Sequence, residues 1–234
     1  DAIPSTFLGI PDADTAIAVL PAHSLCMEGK GEEAVRISAL GSVTGLVLAI
    51  PLCAILLVTM PPFQSAIDWW SGIVLVAVVG FLLVRSESPA WGFVTFCVSG
   101  ILGVFSFRYS YLAPSLLGEG AVLMPLLSGL FGISILLHSG KGAIPAQHFS
   151  GLDIRREGIL KGTLLGGAAG LVVGWLPGLS NATANGVLAS AVNYSHDRRG
   201  YLLATSAANT MNSMVGLAAF FAVERTRNGV VAAL

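Results

Sequence analysis

Two aspartates stand where charge is hard to explain. In Gly9-Ile10-Pro11-Asp12-Ala13-Asp14-Thr15-Ala16 both carboxylates follow a proline inside an otherwise apolar stretch. On insertion scales a charge in the bilayer costs at least about 2.5–3.5 kcal/mol. Asp12 and Asp14 are therefore expected to sit at an interface, to line a water-filled cavity, or to bind a coupling cation. Pro11 lacks a backbone donor and discourages helix at Ile10, so Asp12, Asp14 or Thr15 can also cap a helix that starts there. A cap inside a membrane exposes free N–H groups, and these attract an anion together with the helix dipole. Ser5 and Thr6 add hydroxyls upstream.

Two further polar groups interrupt apolar runs. Trp175-Leu176-Pro177-Gly178-Leu179-Ser180-Asn181-Ala182-Thr183-Ala184-Asn185 is a second proline break followed by small polar residues. Ser180 or Asn181 is a candidate N-cap. Asn181, Thr183 and Asn185 recur every second residue, a spacing that reads as unwound chain, while Asn181 and Asn185 alone would share a helix face. Thr205-Ser206-Ala207-Ala208-Asn209-Thr210-Met211-Asn212-Ser213 lies in the middle of another span, with Asn209 and Asn212 on one face. Each group has a plain alternative in caps and interhelical hydrogen bonds. As candidate substrate-binding residues the sequence offers Pro11, Thr15, Pro177, Gly178, Ser180, Asn181, Thr183, Asn185, Asn209 and Asn212, with Asp12 and Asp14 for a coupling ion. The four histidines and the scattered Cys26, Cys53 and Cys97 form no metal motif, no CxxC pair and no catalytic triad pattern, so no metal, cofactor or catalytic residue is expected.

The elements that carry these residues follow from charge. Of 234 residues only 25 are charged, 54% are hydrophobic, and mean hydropathy is +0.80. A soluble domain carries about 25% charged residues, against 11% here. A disordered chain, a basic nucleic-acid binder and an ordinary water-soluble enzyme are excluded; an all-α polytopic membrane protein remains. Uncharged runs of membrane length predict about six transmembrane helices, near 37–58, 67–84, 90–107, 121–138, 158–175 and 201–222. Residues 1–27, broken by Pro4, Pro11 and Pro21, and the short 181–194 piece read as Pro-broken or re-entrant half helices. Such interrupted segments point to a transporter's binding site. Gly162, Gly166, Gly170 and Gly174 form a four-residue stripe read as tight helix packing, with a sliding surface between moving bundles as the alternative. If 181–194 completes a crossing, nine of the twelve Lys and Arg residues fall on the side of residues 28–36, which the positive-inside rule makes cytoplasmic.

A resemblance joins these pieces. Phe7 to Ala16, Gly29-Lys30-Gly31-Glu32-Glu33-Ala34 and Ser38-Ala39-Leu40-Gly41-Ser42, followed by Leu176-Pro177-Gly178 to Asn185, Arg198-Arg199-Gly200 and Ser206-Ala207-Ala208-Asn209, resemble the large permease subunit of the tripartite tricarboxylate transporters, most closely the shorter archaeal-type branch. The ordered set covers about 90 residues. Asp12 departs from the bacterial pattern, which carries glycine after the first proline. The resemblance implies a two-repeat transporter fold and secondary transport of an organic anion such as a carboxylate, driven by Na+ or H+. It also implies a small membrane subunit and an extracytoplasmic binding protein as partners, in the cytoplasmic membrane of a prokaryote. Within the chain, Ile10-Pro11 matches Leu176-Pro177 and Gly31 matches Gly200, at offsets of 166 and 169. Because residue 1 is Asp, the sequence is expected to be a fragment. It would form one transmembrane permease domain: 1–138 as the remainder of a first half, 139–157 as a cytoplasmic linker, and 158–234 as the start of a second half. The competing readings are a structural or assembly subunit without transport of its own and an intramembrane aspartyl enzyme.

Overall fold

The apolar runs between charges become helices. A computed structural model of the chain describes residues 2–9, 16–109, 125–126, 128–138, 143–149, 151–176, 178–192 and 197–224, and no strand occurs among them. The N-terminal stretch is broken as expected into α1 (Ala2–Leu8) and α2 (Ala16–Met27). Gly9 ends α1 with φ +63°, a conformation that costs glycine little. Next come α3 (Gly31–Thr59), a 3-10 turn (Pro61–Phe63), α4 (Gln64–Arg85) and α5 (Pro89–Arg108). A π-helical turn (Ser128–Ile133) leads into α6 (Ser134–His138). The chain continues through α7 (Arg156–Trp175), α8 (Asn181–Ala191) and α9 (Arg198–Val223).

Five of the six expected spans match helices to within a few residues, and the sixth, 121–138, is only partly described. The largest difference is at α3, which starts six residues before 37. Glu32 and Glu33 lie in its first turn, where the helix dipole favours acids, and Glu32 pairs with Arg36 one turn on. Charge here belongs to the helix end rather than to a loop.

Four described stretches are long and apolar enough to cross a membrane: Gly31–Thr59, Pro61–Arg85, Pro89–Arg108 and Arg156–Trp175. The helix α9 has the length, but Thr205, Ser206, Asn209, Thr210, Asn212 and Ser213 dilute its hydropathy. It is also the most enclosed helix, with Tyr201, Leu203, Ala204, Ala207, Ala208, Met211 and Val215 fully buried. A helix surrounded by other helices has no need of an apolar face toward lipid.

Contacts divide the chain into two units, Asp1–Val76 with Ala143–Leu234, and Ala77–Gly142. In the second unit, α5 has no buried residue and shows Trp91, Phe93, Val104 and Phe105 on its surface, as suits a helix bathed in lipid. The first unit is built on α3, α7 and α9. Gly41 lies against Leu203 and Ser206, and Gly45 against Ala207. Gly166 lies against Ala204, Gly170 against Ala208, and Gly174 against Asn212 and Val215. The pairing advances in the same direction along each helix, so α3, α7 and α9 run parallel. The glycine stripe is thus a packing surface, with Cβ atoms removed so that α7 approaches the α9 backbone.

Parallel neighbours need a return path, and α8 provides it. Asn181 contacts Asn209, whereas four residues later the Asn185 carbonyl contacts Tyr201. The helix α8 therefore runs antiparallel to α9. It brings the chain back to the end of the unit where α3 begins.

Candidate functional site

Where α1, α2, α3, α8 and α9 meet, they line a partly open cavity of about 400 Å3. The helix α3 contributes Val35, Ser38, Ala39 and Ser42, and α9 contributes Leu202, Thr205, Ser206 and Asn209. Each set follows the i, i+3, i+4, i+7 rule for one helix face. The two sets are 167 positions apart, inside the range of the sequence's self-match. Ser5 and Thr6 come from α1, Ala22 from α2, and Asn185 from α8. None of the described lining residues is charged. Asn209 lies eleven residues into the 26-residue α9, roughly 16 Å from its start at 1.5 Å per residue, close to mid-length.

Polar side chains hold the broken helices in place. The Asn181 amide donates to Asn209 Oδ1 at 2.7 Å, pinning the start of α8 to the middle of α9. Tyr201, fully buried, donates to the Asn185 carbonyl oxygen at 3.0 Å. Tyr201→Phe removes that donor and keeps the ring; it is expected to lower stability by about 1 kcal/mol, read as a lower melting temperature of the purified protein. His23 Nδ1 lies 3.0 Å from the Thr6 carbonyl oxygen. A carbonyl only accepts, so this contact places the proton on Nδ1. Among the described residues, Thr6 Oγ1 and Asn181 Oδ1 are buried and keep no partner. An orphaned polar group costs about 1–3 kcal/mol.

Charged residues gather at the end where α3 and α9 begin. Glu33, fully buried, takes two hydrogen bonds from Arg199, Nε to Oε1 at 2.7 Å and Nη2 to Oε2 at 3.0 Å. Its Oε1 also accepts from the Asp153 backbone N–H at 3.2 Å. Arg198 pairs with Glu28 at 2.7 Å and donates to Ser24. Gln147 accepts from Gly31 N–H at 2.8 Å and donates to the Cys26 carbonyl oxygen at 3.1 Å. Glu28, Gly31, Glu33, Gln147, Asp153, Arg198 and Arg199 thus share one end of the unit, as a crossing by 181–194 requires. Val35 and Leu202, which line the cavity, lie within a turn of the Glu33–Arg199 pair.

The sequence-selected residues divide into four groups. Asn185 and Asn209 line the cavity, and Asn181 is buried behind them. Gly178 (φ +84°) and Ser180 are exposed in the break before α8, and Ser180 is its N-cap without a side-chain bond. Asn212 packs against Gly174 instead of the cavity, and Thr183 is half-buried in α8. The expectation of unwound chain from Asn181 to Asn185 is corrected: this stretch is helical, which turns Asn181 and Asn185 inward together. Pro11, Asp12, Asp14, Thr15 and Pro177 lie outside the described residues. The search for polar breaks did not select Ser38 and Ser42. Their i, i+4 spacing among small residues was the available signal.

Among solved structures, none matches the chain. An uncharacterized protein of Methanocaldococcus jannaschii is 29% identical over 237 residues, covering 99% of this chain and 57% of the relative. The chain thus spans little more than half the length of that relative. The family model for the tripartite tricarboxylate transporter TctA family matches residues 1–234. The match extends over the broken helices and both cavity-lining faces, and the chain belongs to the tripartite tricarboxylate transporter TctA family.

Proposed function

We propose that this chain forms the substrate-carrying part of a permease that moves an organic anion such as a carboxylate across the cytoplasmic membrane of a prokaryote, coupled to Na+ or H+. The observation that carries the reading is the cavity near mid-length of α9, lined by both members of the broken pair α1–α2 and by α8, the second member of the broken pair α7–α8. Broken helices at mid-membrane are the usual substrate site of secondary transporters. Electrostatics supports the coupling. No charged side chain occurs among the described lining residues, so an anion there gains from a cation travelling with it. Asp12 and Asp14 are the residues assigned to that cation. Pro11, Thr15, Pro177, Gly178, Ser180 and Thr183 are assigned to shaping the site, Asn185 and Asn209 to substrate, and Asn181 to holding Asn209 in place, while Asn212 packs against α7. A small membrane subunit and an extracytoplasmic binding protein are the proposed partners, with the basic end of the first unit facing the cytoplasm.

The test is uptake of labelled carboxylates into proteoliposomes under an imposed Na+ or pH gradient. Gradient-driven accumulation is expected, and Asp12→Asn should lose it while still inserting into the liposomes. Normal driven uptake by Asp12→Asn would remove the ion role. No uptake by the unaltered protein, and no stabilisation by any carboxylate, would leave the assembly-subunit reading.

A further inference from the structure

The cavity owes one wall to α1, which supplies Ile3, Pro4, Ser5 and Thr6. A helix of seven residues does not hold its own shape, so neighbouring elements must fix that wall. Phe7 packs against Gly31 at the start of α3, but apolar contact is non-directional and leaves the turn of α1 about its axis unset. A directional contact comes from α2. His23 Nδ1–H donates to the Thr6 carbonyl oxygen at 3.0 Å. That carbonyl belongs to the last turn of α1, where helix carbonyls run out of N–H partners, and a histidine near a helix end is suited to bond one. The chain turns away at Gly9, φ +63°, whose N–H bonds back to the Ser5 carbonyl oxygen. The imidazole is seated on that glycine: a Cβ there would stand 3.3 Å from ring Nδ1, Cδ2 and Cε1. Ala22, next to His23, is buried and lines the cavity itself. One side chain thus ties the end of α1 to the part of α2 on the cavity. Thr6 is fully buried with Oγ1 unpartnered among the described residues. An orphaned hydroxyl opposes burial, so its side-chain oxygen does not hold Thr6 in place, whereas the bond from His23 to its backbone does.

We infer that His23 is a positioning residue of the transport site: its Nδ1–H holds α1 so that Ser5 and Thr6 stay on the cavity wall. The inference rests on the cavity being the transport site. Two measurements on the purified full-length protein separate the clasp from its consequence. Asparagine is the conservative replacement, because its amide nitrogen, like Nδ1, is bonded to Cγ; glutamine carries its amide one bond further, where Nε2 stands. Thr6→Cys in a Cys97→Ser background reports on the wall, since Cys26 and Cys53 are buried. In lipid nanodiscs a membrane-impermeant maleimide should label the thiol introduced at position 6 about tenfold faster with His23→Ala or His23→Gln than with His23 or His23→Asn, the factor that one lost hydrogen bond gives. Rates that fail to separate His23→Asn from His23→Ala and His23→Gln overturn the inference. Uptake of radiolabelled succinate and citrate into proteoliposomes under the imposed gradients reads the consequence. His23→Ala should raise the half-saturating concentration several-fold, up to about tenfold, and His23→Asn should restore it. A merely structural role removes competent protein and lowers the maximal rate alone. An unchanged half-saturating concentration in His23→Ala overturns the inference and leaves the transport reading intact. Uptake of neither probe by the unaltered protein overturns the transport reading and the inference with it.

Discussion

Gly166→Val is expected to abolish recovery of folded protein. A Cβ on Gly166 lands on the carbonyl oxygen of Ala204, and one on Gly170 lands on that of Ala208. Both obstacles are backbone, so no side-chain rotation relieves them, and α7 must lift away from α9. Overpacking a core typically costs about 1–3 kcal/mol, and occasionally more; prising two helices apart along a glycine stripe also forfeits the close packing on either side of it. Against a total stability of roughly 5–15 kcal/mol, that leaves little folded protein. Gly100→Ala on α5 is the control, because no described atom lies within 4 Å of the position its Cβ would take. There the better helix propensity of alanine, up to about 1 kcal/mol, should leave the protein unchanged or slightly more stable. Size-exclusion profiles and melting temperatures of both variants decide the matter. A monodisperse Gly166→Val with unaltered melting would refute the packing assigned to the stripe.

The contrast between these glycines shows what a sequence carries. The four-residue spacing from Gly162 to Gly174 was readable as a packing stripe, because helical periodicity puts those positions on one face. Its partner was not, since Ala204 and Ala208 stand 38 residues further on and belong to a segment selected for its polar residues. The same applies to the spans. Charges marked their ends well wherever the charges lay in loops, and failed at Glu32 and Glu33, which belong to the first turn of α3. In the site, Asn185 and Asn209 were legible because amides are conspicuous in an apolar run. Ser38 and Ser42 were not, since small hydroxyl residues are ordinary packing material in membrane helices. The alternate spacing of Asn181, Thr183 and Asn185 carries no meaning of its own once the chain is helical.

The pairing of Glu33 with Arg199, 166 residues apart, had no local signature either. It supports the second large prediction. Glu33→Ala should destabilise the first unit by about 2 kcal/mol. Removing one partner of a fully buried ion pair costs roughly 3–5 kcal/mol, but Arg199 keeps 27% exposure and recovers part of its hydration. The loss also orphans the Asp153 backbone N–H, which now donates to Glu33. Arg199→Ala should cost at least as much, because it strands a carboxylate whose side chain is only 1% exposed. The double variant Glu33→Ala/Arg199→Ala should be less damaged than the sum of the two, with a coupling of about 1–3 kcal/mol. Thermal unfolding of all three variants in the same detergent measures this cycle. Strict additivity would mean that the pair contributes through packing alone. A clear coupling would make it the clamp that holds the starts of α3 and α9 together, within a turn of the cavity-lining Val35 and Leu202.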